Sequence, residues 1–216
     1  MLINVIFFKS EWKNSFNVDY SYIDKFHKKS GSDVEVEFTK QNGFVGVFDD
    51  EKNRFQALCL DFKFNDLVGL FVQFSKDKTV HGLISILQFA DLKNCVDLIH
   101  CINLKVSIPK FKIQSMSSVN EILYHMGVTE IFDDLRCNLQ NISNQPLKVD
   151  DIVHSSTVEI DEKGVVASAA TAVRVNCKAF VKRSGFILDS PLLFIILDRQ
   201  TNLPLFMNAI HDPTQL

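Results

Sequence analysis

The feature that most restricts this chain is a succession of short apolar, β-branched and aromatic runs separated by polar turns. Leu2–Phe8 is nearly continuous in such residues and predicts a buried strand. Val34–Phe38 alternates strictly and predicts a half-exposed one. Gly43–Phe48 and Phe55–Phe62 follow as strands with Asp49–Asn53 as the turn between them, and Leu67–Phe74 is another. Leu104–Ile113 alternates cleanly, with Pro109 placing that strand near an edge or a bulge. Val149–Ile160 predicts a strand. Leu192–Leu197 and Leu203–Ala209 close the chain as strands joined by the turn Asp198–Asn202.

Helices are few. Ile86, Leu87, Ala90, Val96, Leu98 and Ile99 allow one over Ser85–His100. A shorter one has Ser118 as N-cap, Glu121 three residues on, and a stripe of Val119, Ile122, Leu123 and Met126 that stops at Gly127. No internal repeat or long linker interrupts the pattern. The expectation is a single mixed α+β domain over residues 1–216, rich in antiparallel strands.

Composition narrows the function classes. Hydrophobic residues make up 46% of the chain and charged residues 23%, and there are 19 Phe against 3 Tyr and 1 Trp. Phe needs no hydrogen-bond partner when buried, so a large apolar core is available. A formal charge of −3 gives no basic field for nucleic acid. No run has the length of a membrane span, so no membrane partner is expected. The apolar opening Met1–Phe8 lacks the basic start and small-residue cleavage site of a secretory signal.

Cys59, Cys95, Cys101, Cys137 and Cys177 are odd in number and form no C-x-x-C pair, which suggests neither a disulfide framework nor a zinc site. Free thiols fit a reducing compartment. His27, His81, His100, His125 and His211 show no metal-ligand spacing, and neither metal nor cofactor is expected. A Cys–His hydrolase built on Cys177 and His154 has no local signature to support it. Asn141-Ile-Ser143 is a glycosylation sequon by pattern, meaningful in a secreted protein.

Four segments, in order, resemble the serpin (serine protease inhibitor) family. Asn4-Val-Ile-Phe-Phe-Lys9 followed by Trp12 is similar to its central-sheet strand and breach tryptophan. Val106–Lys112, Leu123–Gly127 and Ile131-Phe132 resemble its strand-helix segment. Pro146–Val149 and Val153-His154 precede Glu159-Ile-Asp-Glu-Lys-Gly164 and Ala167-Ser-Ala-Ala-Thr171, which resemble the reactive-loop hinge. Asp189–Phe194, Asp198, Leu205–Met207 and Pro213 resemble its C-terminal strands. The resemblance covers the C-terminal part of the family only. It implies a serpin-like α+β fold of mixed, mostly antiparallel sheets with few helices, truncated at the N-terminus.

The resemblance also implies suicide inhibition of a serine protease. The reactive-centre loop would run over about 162–186, with Glu162, Lys163, Gly164, Val165, Ala167, Ala169, Ala170 and Thr171 as its hinge. Val165, Ala167, Ala169 and Thr171 share one face at period two, and none is charged, so that face can be buried as a middle strand. The family usually has Thr or Ser where Val165 stands. Family spacing puts the scissile bond at Lys178-Ala179, with a trypsin-like protease as partner and Arg174, Lys182 and Arg183 as runners-up.

Asn4 and His154 match the family's shutter pair, and Trp12 its breach. Asn202 and Asn208 stand where the family usually has glycine, and Ser190 replaces its usual histidine. Family resemblance points to the extracellular space, with the cytoplasm as the alternative. The missing N-terminal half would leave the first strand as an unpaired apolar edge open to self-association. The alternative function is a non-inhibitory truncated serpin.

Overall fold

The computed structural model describes residues 1–64, 66–74, 82, 84, 89–165 and 185–215. The fold is α+β and mostly strand: β1 Leu2–Phe7, β2 Ser10–Glu11, β3 Tyr22–His27, β4 Asp33–Asp50, β5 Phe55–Asp61, β6 Leu67–Phe74, β7 His100–Pro109, β8 Phe111–Ser118, β9 Ile152–Ile160, β10 Gly164–Val165, β11 Phe186–Ile187, β12 Leu192–Asp198 and β13 Pro204–Ile210. The α-helices are α1 Phe89–Asp97 and α2 Asn120–His125. Packing divides the chain into two units, Met1–Phe8 with Gln114–Val158, and Lys9–Ile113 with Glu159–Leu216.

The larger unit is built on a sheet in the order β11-β7-β4-β5-β6-β12-β13, with β3 paired to β4. Phe55, Ala57 and Cys59 of β5, Val68, Leu70 and Val72 of β6, and Leu193, Ile195 and Leu197 of β12 line one face, and Leu92 and Cys95 of α1 close it. The alternate residues Leu58, Leu60, Phe71 and Phe194 are buried as well. Burial on both faces accounts for the unbroken apolar runs of β6 and β12.

Two predicted strands, 34–38 and 43–48, are one, because β4 keeps pairing through Lys40, Gln41 and Asn42 with Ser107, Val106 and Lys105 of β7. Conversely, Leu104–Ile113 is two strands. β7 ends at Pro109 and β8 starts at Phe111, and Lys110 between them donates its N–H to the Glu37 carbonyl at 2.8 Å.

In the smaller unit β1, β9 and β8 form a three-stranded sheet in the order β1-β9-β8. β1 pairs with β9 in parallel from Leu2↔Ile152 to Phe7↔Thr157. The strand forms as predicted but is not buried: Ile3, Val5 and Phe7 are 61%, 68% and 60% exposed. Hydropathy recorded what the strand requires as cover, and the described residues do not supply it.

The helix predicted to start at Ser118 is α2, and its N-cap is Val119, with no side-chain cap. Ser118 Oγ instead donates to Asp151 Oδ1 at 2.6 Å. Its end follows the sequence signal. Gly127 has φ +88, its N–H donates to Tyr124 O, and that of Val128 donates to Leu123 O, which is a Schellman cap.

In the larger unit Asn202 takes φ +59, a conformation asparagine tolerates better than most residues. Its Oδ1 and Asn208 Nδ2 are nevertheless buried with no hydrogen-bond partner among the described residues. Ser190 Oγ accepts a hydrogen bond of 2.6 Å from Gln73 Nε2.

Candidate functional site: the loop hinge and the strand seam

The residues predicted as hinge and breach meet in the larger unit. Asp161 starts a tight turn: its Oδ1 accepts from the N–H groups of Lys163 at 2.8 Å and Gly164 at 3.0 Å, and its own N–H donates to Gly164 O at 3.0 Å. β10 then pairs antiparallel with β2, Gly164 opposite Glu11 and Val165 opposite Ser10. Glycine is required here. Gly164 has φ +140, and a Cβ would lie 2.5 Å from Ser10 O and 2.6 Å from Trp12 N.

Trp12 fixes this turn from below. It is 2% exposed and stacks on Phe62 with ring centroids 4.6 Å apart and 11° between planes. Its backbone N–H donates to Lys163 O at 2.8 Å, and its indole Nε1–H to Asp161 O at 3.2 Å. Phe16 N–H donates to Glu162 O at 2.7 Å. The indole has room because residue 69 is glycine: a Cβ there would lie 3.0 Å from two of its ring carbons.

Glu162 is buried, 6% exposed. Its carboxylate forms an ion pair with Lys110 and accepts from Ser21 Oγ at 2.5 Å. Lys110 also contacts Glu37 at 2.7 Å. Burial disfavours the charged form of Glu162, but the hydrogen bonds from Lys110 and Ser21 outweigh it and hold its pKa below the usual glutamate value. Burial likewise opposes the charge on Lys110, and its bonds to Glu162 and Glu37 raise its pKa all the same. Sequence reasoning found Glu162 and missed Lys110, which carries no local signal, and Asp161, whose place three residues before Gly164 fits an Asx turn.

The described chain resumes in the same unit at the other end of the loop. Phe186 and Ile187 pair in parallel with Val106 and Ser107 of β7, and Leu188 N–H donates to Ser107 O at 3.0 Å. Between β10 and β11 fall Ala167, Ala169, Ala170, Thr171, Lys178 and Ala179, and also Arg174, Cys177, Lys182 and Arg183; all lie outside the described residues.

The predicted shutter pair belongs to the smaller unit. Asn4 and His154 are register partners in the β1–β9 ladder. That ladder is continuous, so nothing stands between the two strands. Among the described residues no group of His, Cys, Asp or Glu is placed to hold a metal, and no helix is long and apolar enough to cross a membrane.

The family model described as Serpin (serine protease inhibitor) matches residues 1–213. The chain belongs to the serpin family. Among curated relatives, the alpha-1-antitrypsin homolog of Cyprinus carpio is 28% identical over 216 residues, a match covering 100% of this chain and 57% of that protein. Among solved structures, a serpin from the trematode Schistosoma haematobium superposes with a TM-score of 0.86 at 19% identity, covering 98% of this chain and 56% of that one. Human thyroxine-binding globulin, solved with its hormone, gives 0.85 at 22% identity over 99% of this chain and 56% of that one. The chain spans about half the length of the curated relatives it matches. The solved neighbours establish the serpin fold at these identities and nothing finer.

Proposed function

We propose that this serpin chain forms one partial serpin domain over 1–216 and inhibits a trypsin-like serine protease, offering Lys178-Ala179 as bait in a loop over about 162–186. The observation that carries the proposal is the hinge. Glu162–Val165 is clamped onto β2 and Trp12 at the end of β9, while β1 and β9 pair directly. A strand continuing from Val165 would run antiparallel to both β1 and β9 if it entered their seam, and it would gain hydrogen bonds on both sides. At period two Val165, Ala167, Ala169 and Thr171 would share an uncharged face for that burial.

In the proposed reaction the protease serine attacks the Lys178 carbonyl. The Lys178–Ala179 C–N bond breaks, the amine leaves on Ala179, and an ester joins Lys178 to the enzyme. Insertion of the cut loop then carries the enzyme away before water hydrolyses the ester. The inhibitor supplies no catalytic group, which agrees with a non-enzymatic role. Family resemblance supports the extracellular space as the compartment of this action, with the cytoplasm as the alternative.

The second proposal is a non-inhibitory chain. The exposed apolar side chains of β1 favour it, because an unsupported strand stores little strain and invites association through its edge. One experiment separates the two. The purified chain is mixed with trypsin and run on a denaturing gel, with mass spectrometry on each band. Inhibition predicts a band of summed mass and cleavage after Lys178. Cleavage with no such band excludes inhibition by this chain.

A further inference from the structure

The larger unit also holds an open cleft of about 740 Å³, which shares only Trp12 with the hinge turn, within the ordinary range for small-molecule sites. Its floor is one face of three neighbouring strands. Gly46 of β4 is in register with Cys59 of β5 and Cys101 of β7, and Phe44 with Asn103. Strand alternation therefore puts Asn42, Phe44 and Asn103 on one side together with Asp61. The segment from Trp12 to Ser15 and the side chain of Arg199 form the walls.

The chemistry of this cleft is that of neutral hydrogen bonding. Its one acid, Asp61, is paired with Arg199 and Lys13, and Arg199 Nε is buried with no hydrogen-bond partner among the described residues. Burial pushes the Cys59 thiol up to about 12, so that side chain stays a neutral thiol. What remains is the amides of Asn14, Gln41, Asn42 and Asn103 and the hydroxyl of Ser15. No side-chain hydrogen bond links any of these to another described residue. Each offers both a donor and an acceptor. Beside them the half-buried ring of Phe44 and the side chain of Ile99 give an apolar surface.

A complementary ligand has several paired donors and acceptors, no net charge and one apolar face. We propose that the cleft binds a neutral saccharide, with Asn42 and Asn103 bonding its hydroxyl or acetamido groups and Phe44 packing on the ring face.

The chain carries its own reporter, since Trp12 is its one tryptophan and lines the cleft. N,N′-diacetylchitobiose is titrated into the full chain while Trp12 emission and saturation transfer from protein to sugar are recorded, with maltose as the second probe. Saturable binding of either sugar is expected, weakened about tenfold in the double variant Asn42→Ala/Asn103→Ala and unchanged in Asn141→Ala. Both cleft asparagines are exposed, so the double variant should keep its circular dichroism spectrum. No transfer to either sugar at millimolar concentration would overturn the proposal, as would equal binding by the double variant. No protease enters the experiment, so its outcome is independent of the trypsin gel.

Discussion

Lys110 and Glu162 form an ion pair at the turn that leads into β10, with Lys110 also bonded to Glu37 of β4 and Glu162 to Ser21. Both charges are largely out of water, at 22% and 8% side-chain exposure, so each depends on the other. Glu162→Gln should therefore destabilise the larger unit by roughly 1.5–3 kcal/mol, because Lys110 loses one charged partner and keeps Glu37. Urea unfolding of Glu162→Gln, Lys110→Met and the double variant measures this. The double variant should cost clearly less than the sum of the single changes. Simple additivity would show that the pair contributes no coupling.

The same pair sets a pH window. Glu162 has a depressed folded pKa, so its contribution is present above the ordinary value of 4.5 and lost as pH falls through the folded one. Lys110 has a raised pKa, so its contribution is full below the ordinary value of 10.5 and lost as pH rises through the folded one. Between these limits the pair contributes fully. Wild type and the double variant should converge in stability at acid pH, and a constant gap down to pH 3 would contradict the assignment.

Gly164→Ala should break the clamp between β10 and β2. The added Cβ would overlap backbone atoms of Ser10 and Trp12 at 2.5 and 2.6 Å, at a φ of +140, a combination expected to cost more than about 2 kcal/mol. Gly43→Ala is the control, since a Cβ there meets nothing within 4 Å and φ is not positive. Urea midpoints and limited proteolysis across 161–165 read the difference. Equal behaviour of the two variants would remove the clamp from the account.

Much of this was legible in the sequence, and the failures have physical reasons. β6 and β12 could be read because their apolar runs agree with burial on both faces, whereas the hinge residues were named through family resemblance alone. The Lys110–Glu162 pair was hidden, because a single lysine between Pro109 and Phe111 says nothing about a partner in a distant segment. β4 looked like two strands because Asn42-Gly43 resembles punctuation, while the pairing that overrides it comes from the distant β7. The burial expected for Leu2–Phe8 failed because hydropathy reports the demand for cover and not its supply.

Trp12→Phe isolates the indole N–H. The stack on Phe62 survives and the bond to Asp161 O is lost, so a cost of about 1 kcal/mol is expected. Trp12→Ala also loses the packing and should cost about 3–5 kcal/mol. Thermal denaturation of the two variants should separate them clearly. Equal losses would mean that the stack contributes little.

Asn202→Gly should stabilise the β12–β13 turn by several tenths of a kcal/mol. It relieves a non-glycine φ of +59 and removes the buried, unpartnered Oδ1. A rise in the urea midpoint at unchanged slope checks this. A fall would mean that the side chain has a role its geometry does not reveal.

Inhibition by this chain stands or falls on whether a cut loop enters the seam between β1 and β9. The direct measurement is the melting temperature of the chain before and after limited trypsin cleavage at Lys178, with amide exchange of Leu2–Phe7 and Ile152–Thr157 followed in parallel. Cleavage should raise the melting temperature and slow exchange in both strands, because insertion replaces the one parallel ladder between β1 and β9 with two antiparallel ones. An unchanged or lower melting temperature, with β1 and β9 exchanging as before, would contradict it.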